Sequence, residues 1–203
     1  MKYSSMLRLR SWTLGFSITA VKTPSVSTLG LNSRCNSGEH ITLLDYDRAY
    51  EDVVVEELAA IIERDKLSSF MIFKTREIEE NGEKVGVGWH ACNLDKRPIR
   101  LVMNTVYDSS CDAAFKKAPF FYFYRSWVLR LDPKGKRDPP KFVRFVKSPY
   151  SEYEQSSAHA KLLKIWHDVP VEEILVRPDF ALDAPNLPPI RIVSYKTGKR
   201  VVL

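Results

Sequence analysis

The strongest constraint in this chain is a turn. Asn81-Gly82 is the dipeptide that tight hairpins favour, because both residues take positive φ readily. Before it, Ser69-Phe70-Met71-Ile72-Phe73-Lys74-Thr75 reads as a strand, and after it Lys84 to Leu94 reads as the returning strand. Upstream, residues 40–44 (His-Ile-Thr-Leu-Leu) form a short apolar run that ends in Asp45-Tyr46-Asp47. From Tyr50 to Asp65 the pattern changes. Val54, Leu58, Ile61 and Ile62 recur at helical spacing, while Glu56, Glu57, Glu63 and Arg64 fall on other faces.

Downstream the pattern is less regular. Residues 98–118 fit either helix or loop, with Ser109 or Ser110 placed to cap a short helix through Asp112 to Lys117. Phe120 to Leu131 and Lys141 to Val146 read as two strands joined by a loop of residues 132–140, and Gln155 to His167 reads as a helix. A proline-rich stretch follows, then a hairpin-like Ile190 to Leu203 with Thr197-Gly198 at its turn. The expected class is α+β: a mostly antiparallel sheet with flanking helices. The expected organisation is a basic N-terminal extension or first strands over 1–38, a core over 39–150, and a C-terminal helix and hairpin over 151–203 packed on that core.

At 203 residues, 44% apolar and 11% aromatic, the chain can bury a core and is not wholly disordered. No apolar run approaches the roughly 20 residues that cross a bilayer, so no membrane partner is expected. Cys35, Cys92 and Cys111 are odd in number and widely spaced, which argues against a disulfide scaffold or a zinc ribbon and for a reducing cytoplasm.

The net charge of +6 is distributed unevenly. Residues 1–38 hold five bases and no acid, residues 39–124 eleven bases and sixteen acids, and residues 125–147 eight bases against two acids. An acidic body between basic segments suits carboxylates that hold metal beside cations that hold a polyanion. It also suits two solvated faces. The basic, acid-free first 38 residues share the composition of a mitochondrial presequence. The alternation over Leu14 to Val21 nevertheless reads as a strand, which favours a folded or nucleic-acid-facing extension.

Three short constellations can carry chemistry. Asp45 and Asp47, two apart at a strand end, project from one face and repel, a strain that a divalent cation relieves. Gly86-Val87-Gly88-Trp89-His90 sets an imidazole on a strand whose glycines permit a close approach. Trp127-Val128-Leu129-Arg130-Leu131 carries one guanidinium among apolar neighbours and leads into a loop with Lys134, Lys136 and Arg137. Arg125, with Tyr122, Tyr124 and Trp127, suits base stacking beside phosphate contacts, and Lys141 and Arg144 extend the basic stretch. Phe120, Phe121 and Phe123 read as core. No phosphate-binding loop of the Walker type, dinucleotide glycine pattern or nucleophile elbow is present. His159 and His167, eight apart, do not make an i, i+4 metal pair.

In order, these pieces are a strand, Asp-x-Asp, a helix, a strand, a turn, a strand with Gly88-Trp89-His90, a later Asp, and an Arg-bearing strand with a basic loop. That order resembles the catalytic core of the archaeo-eukaryotic primase superfamily, over about residues 40–147. Gly88 stands where that superfamily usually has Ser or Thr. The resemblance implies a template-directed nucleotidyltransferase of the small plasmid or virus type, acting in DNA replication. It implies Asp45, Asp47 and Asp112 as catalytic ligands of Mg²⁺ or Mn²⁺, with Asp108 as the alternative third acid. Nucleoside triphosphate contacts would fall to His90, Arg130, Lys134 and Lys74. The expected partner is nucleic acid, a single-stranded template in particular, bound through Arg125, Lys136, Arg137, Lys141 and Arg144. The alternative is a non-catalytic nucleic-acid-binding protein on a similar scaffold.

Overall fold

Two strand pairs frame the chain. β1 (Lys2–Leu9) and β2 (Trp12–Thr19) form an antiparallel hairpin, as the alternation over Leu14 to Val21 predicts. β9 (Arg191–Val193) and β10 (Arg200–Val202) pair antiparallel near the other end. The structure is a computed structural model that describes residues 30–80, 83–121, 126–133 and 138–179, together with the backbone of those four terminal strands. The two turn dipeptides, Asn81-Gly82 and Thr197-Gly198, lie outside the described residues.

Between them lies an α+β body. Its elements are β3 (Gly30–Asn32), β4 (His40–Ala49), α1 (Glu51–Asp65), β5 (Phe70–Glu80), β6 (Glu83–Arg97), α2 (Ile99–Asp108) and α3 (Ala113–Phe121), then β7 (Val128–Arg130), β8 (Lys141–Val146) and α4 (Ser157–His167). The main sheet runs β4-β6-β5-β8 with every pair antiparallel, and β3 and β7 form a separate two-stranded ribbon. The hairpin read around Asn81-Gly82 is therefore the centre of the sheet.

The α1 stripe of Val54, Leu58, Ile61 and Ile62 is buried, as its spacing dictates. Removing each such side chain from water stabilises the fold by roughly 1.5–3 kcal/mol. Tyr46, on β4, donates to Glu57 of α1 at 3.4 Å, which marks the sheet face that α1 covers. Strand alternation places Trp89 and Ile72 on that face, and Asp45, His90 and Phe73 on the other. The second face is closed by the ribbon and α4. Leu31, Leu129, Leu163 and His167 meet Phe73 and His90 there around a cavity of about 10 Å³, close to the size of one water. Among the described residues, no helix is long and apolar enough to cross a membrane.

Three expectations are corrected. β4 does not end at the aspartates but continues to Ala49, with a register slip between Tyr46 and Ala49. Residues 98–118 hold two helices, and neither Ser109 nor Ser110 caps the second. Asp112 does: its Oδ1 accepts the Phe115 N–H at 2.8 Å, while the Ser109 hydroxyl turns back to the Val106 carbonyl and Ser110 bonds Glu57. Of the strand read over Phe120 to Leu131, α3 takes Phe120 and Phe121 and the strand β7 holds Val128–Arg130, while residues 122–125 lie outside the described residues. Phe120 and Phe121 have strand propensity, but a helix started at Asp112 overrides it. β7 then pairs with β3, outside the main sheet.

Candidate functional site

Register brings the first two constellations together. Asp45 on β4 pairs directly with His90 on β6, and His90 Nε2 lies 3.6 Å from Asp45 Oδ1. The third acid arrives through the backbone: the Asp112 N–H donates to the Asp45 carbonyl at 2.7 Å. The head of α3 is thus tied to β4 at the same residue that faces the imidazole. Asp47 lies two residues beyond Asp45, in the slip of β4 where Arg48 adopts a left-handed φ of 58°. Bulges of this kind re-aim side chains at the end of a strand pair. The Asp47 carboxylate accepts Arg76 Nη2 at 3.1 Å.

The electrostatics follow from this crowding. Burial, then the Asp47 and Asp112 charges, push Asp45 up to about 7 against the opposing pull of Arg76 and Arg130. Burial, then Arg130 and His167, hold His90 down to about 3. The His90 ring is therefore neutral at physiological pH, and its contact with Asp45 sets a carboxyl beside a neutral imidazole instead of forming an ion pair. Arg130 on β7 donates to the backbone carbonyls of Asp132 and, at 3.1 Å, Asp138. From there its charge acts on both Asp45 and His90.

The remaining predicted residues are placed elsewhere. Lys74 pairs with Trp89, one residue out of phase with His90, so it falls on the α1 face, where its ammonium meets Glu77 at 2.5 Å. Lys141 and Arg144 lie on the edge strand β8, paired with Asp138 at 3.4 Å and Glu51 at 3.8 Å. Asp108 pairs with Arg64 at 3.3 Å, while Asp112 is the acid that joins Asp45. Arg125, Lys134, Lys136 and Arg137 lie outside the described residues.

Three side chains at the site carry no linear signal. His167 reaches it from α4, its ring 5.4 Å from that of Phe73. Thr75 and Arg76 reach it from a slip in β5 between Lys74 and Arg76. A Cβ built on Gly88 would overlap Thr75 Oγ1 and lie 3.3 Å from Arg76 Cγ and 3.7 Å from Asp47 Oδ1. The hydroxyl of Thr75 thus fills the space a side chain at 88 would take, which accounts for glycine there.

As donor chemistry alone, three carboxylates suit a hard divalent cation. In the resting arrangement Asp47 is engaged by Arg76 and Asp112 by its own helix. Among the described residues no three His, Cys, Asp or Glu side chains converge closely enough to hold a metal ion. Compared with known proteins, the chain matches no family model, no curated protein and no solved structure.

Proposed function

We propose that this chain is a metal-dependent, template-directed nucleotidyltransferase of the primase-polymerase type. The observation that carries the reading is the pairing of Asp45 with His90, with the Asp112 N–H bonded to the Asp45 carbonyl. Asp45, His90 and the Asp112 backbone, distant in sequence, are neighbours in space, and their order along the chain resembles that of the superfamily.

In this reading Asp45, Asp47 and Asp112 hold the cations. A divalent ion held there would supply the positive charge needed to acidify an attacking 3′-hydroxyl and to offset the leaving pyrophosphate. Neutral His90 orients a phosphate oxygen by hydrogen bonding, and Arg130 contributes a fixed cation beside it. Positioning and electrostatics do the work, with no covalent intermediate on the protein. The basic residues of 125–147, among them Lys134, Lys136 and Arg137, hold single-stranded nucleic acid through its phosphates.

Primer synthesis on single-stranded template, with all nucleotides and Mn²⁺ or Mg²⁺, tests the reading. Asp45→Ala and Asp47→Ala are each expected to abolish product while template binding persists. Absence of product from the wild-type chain would end the enzymatic claim. One observation favours a second reading, a non-catalytic nucleic-acid-binding protein: the engagement of Asp47 by Arg76 and of Asp112 by α3. Thermal protection by Mn²⁺ that disappears in the Asp45→Asn, Asp47→Asn double variant supports the enzyme, and no protection in either chain supports the binder.

A further inference from the structure

The slip in β5 brings into the site two side chains that the motif reading lacks. Lys74 pairs with Trp89 and Arg76 with Gly88, so Thr75 is the extra residue. At such a bulge two consecutive side chains turn toward nearly the same side. Here that side is the one carrying Asp47, Gly88 and His90, as the space over Gly88 shows: Thr75, Arg76 and Asp47 converge on it. Arg76 keeps 33% of its side chain exposed, so the guanidinium is anchored at Asp47 and still reachable from solvent.

A carboxylate and a phosphate compete for one arginine, and Arg76 is the arginine that Asp47 holds beside the proposed nucleotide site. A phosphate that arrives there draws the Arg76 fork from Asp47 with no metal required. A planar guanidinium matches a phosphate as well as it matches a carboxylate. Because Arg76 is half-buried on the sheet face, the phosphates of a single nucleotide suit it better than the open track a polynucleotide backbone requires.

We propose that Arg76 is a triphosphate-binding residue held in reserve: it pairs with Asp47 in the resting protein and passes to the phosphates of an incoming nucleoside triphosphate, with the Thr75 hydroxyl as a second donor. The inference rests on the nucleotidyltransferase reading and adds a site residue that the motifs do not contain. No bond is made or broken, since one carboxylate and one phosphate exchange a shared cation.

Calorimetric binding of ATP in EDTA, without template or metal, reads this contact with no turnover. Arg76→Ala is expected to weaken ATP binding about tenfold, as loss of a charge-assisted pair does. Arg76→Lys, which keeps charge but not the fork, should recover part of the loss, and Thr75→Val should lose a smaller part. Adenosine should bind wild type and Arg76→Ala alike. Asp47→Asn should tighten metal-free ATP binding, and combination with Arg76→Ala should reduce that gain. ATP binding unchanged in an Arg76→Ala chain of normal melting temperature overturns the inference while the enzymatic reading stands. So does an Asp47→Asn gain that persists in full without Arg76, or a loss seen with a single-stranded oligonucleotide and not with ATP. A wild-type chain that binds no ATP, with or without Mn²⁺, removes both.

Discussion

Two stretches of β6 treat charge in opposite ways. At its C-terminal end Asp95, Lys96 and Arg97 are buried, and each has polar partners, although the Arg97 Nε has none. Asp95 accepts the Ser68 N–H at 2.7 Å and the Ser68 hydroxyl at 2.5 Å. Lys96 meets Glu154 at 2.7 Å and Asp179 at 3.2 Å, and Arg97 donates to Thr42 at 2.8 Å and Thr105 at 3.0 Å. Around His90, further back along the strand, three carboxylates gather with Arg76 and Arg130. Burial raises the pKa of both Asp95 and Asp45, but Ser68 pulls Asp95 back whereas Asp47 and Asp112 push Asp45 further. The first arrangement holds the fold together. The second crowds like charges around a half-buried carboxyl.

The largest expected effect tests the matched end. Asp95→Ala leaves the buried Ser68 N–H without its acceptor and should cost about 3 kcal/mol or more in urea unfolding. If the loss is below about 1 kcal/mol, the matched end is no stronger than a surface pair. Next comes pH, which should separate the two ends. Burial holds all four histidines, His40, His90, His159 and His167, below their ordinary value. The unfolded chain takes up those protons first, so stability should fall as pH drops below about 6.5. Asp45 acts in the other direction: its proton is retained in the fold up to about 7, so its contribution favours the fold at low pH and fades as pH rises through that value. Urea midpoints at pH 7 and pH 5 check the balance, with the histidines expected to dominate and lower the midpoint at pH 5.

Packing at Gly88 is the third probe. Gly88→Ser should destabilise by about 1–3 kcal/mol through overlap with Thr75, and Thr75→Ala in the same chain should recover most of that by making room. Recovery moves the hydroxyl from one strand to its neighbour, and no recovery would mean the crowding lies elsewhere. The smallest effect is a gain. Asp45→Asn relieves the carboxylate repulsion and should stabilise by about 1 kcal/mol, kept modest because 33% of the side chain meets water. A loss instead would mean the carboxyl is already satisfied, and the contrast between the two stretches would narrow.

Much of the frame was legible because local rules and tertiary needs agree there. The α1 stripe repeats at helical spacing, and Asn81-Gly82 lies between two strand-like runs that the sheet pairs at its centre. The acids and His90 were legible as pieces, and the pairing of β4 with β6 joins them. What escaped depends on slips and caps. Nothing in the row of letters shows that β5 gains a residue at Thr75, so the sequence points to Lys74 where the fold presents Arg76. The sequence offers Ser109 or Ser110 as the cap of a helix through Asp112 to Lys117, and the cap is Asp112 itself. Asp95-Lys96-Arg97 looks like a solvated charge run, and only the neighbouring segments around Ser68, Thr105 and Glu154 make its burial tolerable.

Because Asp112 holds the first turn of α3 while its N–H grips β4, the bearing of the third acid is fixed by an axis of helix. The cap and the strand contact share one residue, so any tilt of α3 is felt directly at Asp45.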